Sequence, residues 1–185
     1  MAYSIAAAKL TPGIQRVIVS TDSVHYAKLA KRYGAEIPFL RPKELSMDNS
    51  TDYDFMSHAV SWFDQHSDRS PEYWVHLRPT TPLRDPSIIT DAISVFQSRD
   101  EATSLRSGHL SPESPFKWLR KNKEGFLTNL IGDDTNLDKY NGPRQNFPEV
   151  LIPNGYVDIL KSSLIRDEII ADVPGAAPEK RQKTE

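Results

Sequence analysis

The chain has 185 residues, of which 38% are hydrophobic and 26% charged, with a formal net charge of -2. That length suits one α/β domain with a small excursion, and the charge excludes a protein that binds nucleic acid through bulk positive charge. There is no cysteine, which excludes disulfides and thiolate metal sites and fits a cytoplasmic protein; no apolar run approaches the ~18 residues that cross a bilayer, so no membrane partner is expected.

The opening MAYSIAAAKLTPG lacks a basic segment before its apolar stretch. It reads as a short helix ended by Pro12-Gly13 rather than as a signal peptide. Arg16 to Ser20 is a β-branched run that opens into the turn formers Thr21-Asp22-Ser23, a buried strand followed by a loop. Ala27, Leu29, Ala30 and Tyr33 recur at helical spacing until Gly34 stops the helix. Ile37 to Leu40 forms a second short strand that ends at Arg41-Pro42.

Thr51 to His66 is helical, with Phe55, Ala59, Trp62 and Phe63 on one face and Ser50 or Thr51 as cap. Tyr73 to Leu77 is a strand leading into Arg78-Pro79-Thr80-Thr81-Pro82, and Asp85-Pro86 begins another helix. Ala102 to Leu105 is a further strand. Strands alternating with helices predict a Rossmann-like α/β fold with a largely parallel sheet, whose ligands lie outside the carboxyl ends of the strands.

From Ser111 to Pro153 prolines and glycines become frequent. Phe116 to Arg120 and Phe126 to Leu130, separated by a polar turn, predict a hairpin leaving the sheet. Its apolar residues exceed what a lone extension buries on itself, which points to a homodimer. Val157 to Leu160 then returns to the core. The organisation read here is an α/β domain over 1–110 and 154–173, a dimerisation extension over 111–153, and a disordered tail over 174–185.

Arg41, Arg78, Arg84, Arg106 and Arg144 fall at strand ends or in proline-rich loops. Guanidinium groups on one rim suit an anionic ligand, although some could simply pair with nearby acids such as Asp85 or Glu44. Arg84, beside Asp85, reads as an ion-pairing or capping residue. Asp22 reads better as a helix cap than as a metal or ribose contact. The histidines show no metal-ligand spacing, and His58 and His76 read as satisfied residues near the core.

Four strings, Val17-Ile18-Val19-Ser20-Thr21-Asp22-Ser23, Arg41-Pro42-Lys43-Glu44-Leu45, Arg78-Pro79-Thr80-Thr81-Pro82-Leu83-Arg84 and Pro153-Asn154-Gly155, occur in an order and spacing that resemble the acylneuraminate cytidylyltransferases. The resemblance covers roughly residues 2–164. It implies a nucleotide-diphospho-sugar transferase fold and a Mg²⁺-assisted reaction of CTP with a sialic-acid-like nine-carbon acid, giving CMP-sugar and pyrophosphate. It also implies that Arg41, Ser50, Thr51 and Asp52 contact the nucleotide, and that Arg78, Thr80, Thr81, Lys117 and Arg144 contact the acid, Arg144 from the partner subunit. Arg78 replaces a glutamine found in many relatives. The family's Gly-rich phosphate loop and its Asp-x-Asp strand for Mg²⁺ are not among the matched strings, so the sequence offers Mg²⁺ no ligands, and the chain is expected to be truncated or degenerate, with little turnover. Two other readings fit the same residues: a non-catalytic sugar- or nucleotide-binding paralogue, and a cytidylyltransferase for another ulosonic acid.

Overall fold

The structure, a computed structural model, describes residues 1–66, 70–131 and 141–171, the last four by backbone only. The tail expected over 174–185, and residues 132–140 of the expected extension, lie outside the described residues. The chain divides into two compact units, Met1–Arg106 with Gly155–Glu185, and Ser107–Asn154.

In chain order the regular elements are α1 (Ala2–Leu10), α2 (Val24–Arg32), α3 (Asp52–His66), β1 (Tyr73–His76), α4 (Pro86–Gln97), β2 (Ser104–Leu110), β3 (Leu119–Lys121), β4 (Leu127–Asn129), β5 (Leu151–Lys161) and α5 (Ser162–Ala171). Helix starts follow from capping chemistry. The hydroxyl of Thr51 accepts from Asp54 N (3.3 Å) while Thr51 N donates back to the Asp54 carboxylate (2.5 Å), a reciprocal box that opens α3. Asp85 accepts from Ser87 N at 2.9 Å with Pro86 in the first turn of α4. At α2 the cap is Ser23, whose hydroxyl accepts from Tyr26 N, and not the expected Asp22. Gly34, just past α2, has φ +86°, a conformation that glycine adopts without a Cβ penalty.

The first unit is built around strand segments with helices on both faces. Val17 and Val19 pack with Ile5 of α1 and Ala30 of α2, whereas Ile18 between them packs with Ala59 and Phe63 of α3. Tyr73 and Val75 likewise face Ile89, Ile93 and Phe96 of α4, while Trp74 turns to α3 and α5. This alternation is the period of two that sends successive side chains to opposite faces. The expected strands at residues 16–20 and 37–40 are reduced to one parallel bridge, Ile18↔Glu36.

The pairing of β1 with β5 departs from the largely parallel expectation. β1, β5 and β2 form one sheet in the order β1-β5-β2, and β1 pairs antiparallel with β5, from Tyr73↔Lys161 to His76↔Asp158. The physical reason is that β5 enters after a long excursion, not after a helix, so the right-handed crossover rule does not set its direction. β2 also runs to Leu110, past the expected end at Leu105.

In the second unit β3 and β4 form the expected hairpin, Leu119↔Asn129 to Lys121↔Leu127. Asn122 closes its turn by accepting from Phe126 N at 2.8 Å. Trp118, Leu119, Phe126, Leu127 and Leu130 of this unit are exposed.

Candidate functional site

The loop after Phe39-Leu40 is tied to the loop after Ser20 by Arg41 N, which donates to Thr21 O at 2.9 Å. The Arg41 guanidinium carbon lies 5.6 Å from the centroid of Phe55 on α3. Its Nε is buried with no hydrogen-bond acceptor, as are the hydroxyl of Ser20 and Nδ1 of His58. His58 meets the Phe39 ring edge-on at 4.7 Å, and burial together with the Arg41 charge lowers its pKa. The expectation that His58 is a satisfied near-core residue is therefore corrected, because burial has left its Nδ1 without a partner.

Phe55 is also the link to the next loop, since its ring lies 5.1 Å from that of His76 at the end of β1. His76 has a lowered pKa, chiefly through burial and then through Arg78. Two residues on, Arg78 Nη1 donates to Asp158 Oδ2 at 2.5 Å and Nη2 donates to Asp52 in the first turn of α3. Asp158 lies on β5 opposite His76 and is 3% exposed. Its Oδ1 has no hydrogen bond and faces Arg106 Nε at 3.7 Å. Arg78 is half-buried, and these bonds raise its pKa against the opposing effect of burial.

The loop holding Arg78 is fastened by Arg84. Its guanidinium donates to the carbonyls of Tyr156 (2.5 Å), Gly155 (3.1 Å), Arg78 (2.7 Å) and Thr81, and to the Ser4 hydroxyl (3.1 Å). Arg84 is only 7% exposed. The expected ion pair with Asp85 is thus corrected: the side chain turns inward, where five neutral oxygens take its five donors, and Asp85 caps α4 instead. Gly155, at φ +62°, brings its backbone beside Arg78, and a Cβ there would sit 3.6 Å from Arg78 Nη1 and 3.9 Å from the Thr81 hydroxyl.

In the first unit the structure therefore gathers Arg41, Asp52 and Arg78 of the sequence candidates around the start of α3, while Thr81 lies beside Gly155 in the loop that holds Arg78. Thr51 spends its hydroxyl on the helix cap, and Ser50 accepts from Met47 N at 2.9 Å. Thr80 is exposed in the same loop. Phe55, His76 and Asp158 are the residues that sequence reasoning missed. Helical spacing puts Phe55 on the core face of its helix, and the lone carboxylate of Asp158 inside an apolar strand is the available signal.

In the second unit Lys117 Nζ lies 5.6 Å from the Phe147 ring, which stacks with Phe116 at 5.9 Å. Arg144 Nη2 donates to Ser111 O at 3.1 Å. Arg144, Ser114 and Phe147 line a hollow of about 410 Å³ within this unit.

A magnesium ion asks for oxygen ligands, chiefly carboxylates. Among the described residues no group of three His, Cys, Asp or Glu side chains could hold a metal, and Asp52 and Asp158 are both spent on Arg78. The described residues do not fit Mg²⁺.

No protein-family model matches the chain. Over 101 residues it is 36% identical to an N-acylneuraminate cytidylyltransferase of Escherichia coli O18:K1:H7, a match covering 55% of this chain and 23% of that protein. It is 33% identical over 97 residues to a CMP-N,N'-diacetyllegionaminic acid synthase of Legionella pneumophila, covering 52% of this chain and 41% of that protein. An N-acylneuraminate cytidylyltransferase of Streptococcus agalactiae serotype V is 26% identical over 153 residues, 82% of this chain and 34% of that protein. The chain thus spans less than half the length of these curated relatives. Its fold is that of a CMP:2-keto-3-deoxy-manno-octonic acid synthetase solved in complex with CTP, with a TM-score of 0.59 at 12% identity over 97% of this chain and 67% of that one. The nucleotidyltransferase fold expected from the sequence is the fold observed, and the resemblance to acylneuraminate cytidylyltransferases is borne out by these relatives.

Proposed function

We propose that this chain forms the nucleotide- and sugar-acid-binding part of a cytidylyltransferase that activates a sialic-acid-like nonulosonic acid with CTP. In that reaction the anomeric hydroxyl gives up its proton to water as its oxygen bonds to the α-phosphorus, the bond from that phosphorus to the oxygen it shares with the β-phosphate breaks, and pyrophosphate leaves. The protein's part in such a transfer is to position the two substrates and neutralise their charge. The observation that carries the reading is the convergence of Arg41, Asp52 and Arg78 in one unit around the start of α3, with Thr81 in the loop that holds Arg78.

In this reading the nucleotide side comprises Arg41, Ser50, Thr51 and Asp52. Ser20, Arg41 and His58 support it, because each keeps a buried polar atom without a hydrogen bond. Buried polar groups are normally paired, so unpaired ones on α3 and on the two loops beside it suit a polar ligand. Arg78, Thr80 and Thr81 form the sugar-acid side. Lys117 and Arg144, in the second unit, are proposed sugar-acid contacts on the resemblance alone.

The exposed apolar side chains of the hairpin support a homodimer formed through residues 111–153, in which Arg144 serves the partner subunit. No helix among the described residues is long and apolar enough to cross a membrane, and the reading places the protein in the cytoplasm. Calorimetric titration with CMP, AMP and N-acetylneuraminate tests the proposal. Uptake of CMP in preference to AMP, together with uptake of the acid, is the expected result. A chain that takes up neither CMP nor the acid is not the binding part of such an enzyme.

A further inference from the structure

Among the described residues, the donors of Arg78 are already occupied by two carboxylates, and those carboxylates differ in kind. Asp158 belongs to the middle of β5, its side chain is 4% exposed, and it is fixed opposite His76 in the strand register. Asp52 stands at the open end of α3 with its side chain 54% exposed. A pair with so exposed a partner contributes about 0–1 kcal/mol, so water or another anion replaces it at little cost. Asp52 would also stay stabilised after release, because a carboxylate in the first turn of a helix interacts favourably with the helix dipole.

The charges around the loop point the same way. Among the described residues, Arg78 pairs with Asp52 and Asp158, Arg106 also faces Asp158, and Arg84 feels the charges of Arg78 and Asp158, so three positive groups stand against two negative. His76 adds no lasting charge, since burial and Arg78 favour its neutral form. Arg84 spends its donors on neutral oxygens and cancels no carboxylate. One positive charge is left over between the buried Arg84 and the exposed Arg106, and an anionic ligand is what would cancel it.

We propose that Asp52 is an internal stand-in for the substrate carboxylate: it occupies the Nη2 edge of Arg78 in the free protein and gives way to the carboxylate of the acidic sugar, while Asp158 holds Arg78 in place throughout. This deepens the reading given above and rests on it for the identity of the acid. It makes Asp158 a positioning residue and gives Asp52 a competing role toward the acid, distinct from a contact that favours binding.

The test is calorimetric titration of the full chain with N-acetylneuraminate, in the absence of nucleotide, for wild type, Asp52→Asn and Asp52→Ala. Both variants should bind the acid more tightly, by up to about fivefold, the factor that corresponds to ~1 kcal/mol for a displaced exposed pair. N-acetylmannosamine, which has no carboxylate, should gain nothing. Two variants are needed because the asparagine amide oxygen can itself accept from Arg78, whereas alanine cannot. Unchanged or weaker binding of the acid in both variants would overturn the proposal, as would an absence of acid binding in all three proteins. A separate titration of the wild type with CMP tells the two failures apart: a chain that takes up CMP but no acid sinks only the stand-in role, whereas one that takes up neither also sinks the functional reading.

Discussion

Replacing Arg84 by alanine should destabilise the protein far more than a typical loop substitution. The guanidinium joins Arg78 O and Thr81 O to Gly155 O and Tyr156 O on β5, and reaches Ser4 on α1, so one side chain fastens three separate stretches of chain. Its removal takes a donor from four backbone carbonyls in a setting where Arg84 itself is 7% exposed, although Arg78 O keeps its bond from Thr81 N. A buried acceptor left unsatisfied costs about 1–3 kcal/mol, and water entering the vacated volume recovers part of the sum. A net loss of about 3–5 kcal/mol follows, similar to removing one partner from a buried charged network. For a chain of this size that lowers Tm by roughly 6–20 °C, at ~2–4 °C per kcal/mol. Lysine should rescue little, because three donors on one nitrogen cannot span the same oxygens. Circular-dichroism melts of wild type, Arg84→Ala and Arg84→Lys measure this directly. A Tm within 2 °C of wild type for alanine would show that Arg84 is not the fastening of this loop.

The clasp between α3 and α5 should be sensitive to acid. Arg166 donates to both Asp64 oxygens (2.8 and 2.7 Å), holding that carboxyl at about 2, below its ordinary 3.8. Because the folded value is depressed, the stabilisation is present above the ordinary value and is lost as pH falls through about 2. The Tm difference between wild type and Asp64→Asn should therefore hold steady above about pH 4 and shrink toward zero near pH 2; it should amount to a few degrees at most, since both side chains are over a third exposed. Light scattering at rising concentration should give a dimer mass, and Phe126→Asp with Leu127→Asp should return it to that of a monomer.

Much of the first unit was legible because its signals are local. Asp85-Pro86 announces α4, and Thr51 with Asp54 announces α3, through capping bonds formed within three residues. Strand direction is not local, which is why β5 was placed in the core correctly while its antiparallel pairing with β1 was not foreseen. The same distinction explains Arg84. Its neighbour Asp85 offered a nearby charge, whereas the carbonyls it actually meets at Gly155 and Tyr156 lie more than 70 positions away. Asp158 could be noticed as a carboxylate within an apolar run, yet nothing in the sequence joins it to Arg78.

If the loops around the start of α3 hold a cytidine nucleotide, amide-shift mapping by NMR during titration of the chain with CMP should find it there. The largest shifts should fall on Ser20–Ser23, Arg41 and Ser50–His58, and Arg41→Ala should weaken CMP by roughly tenfold or more, the loss expected of a charge-assisted hydrogen bond. Shifts confined to the second unit, or CMP affinity unchanged in Arg41→Ala, would contradict that placement.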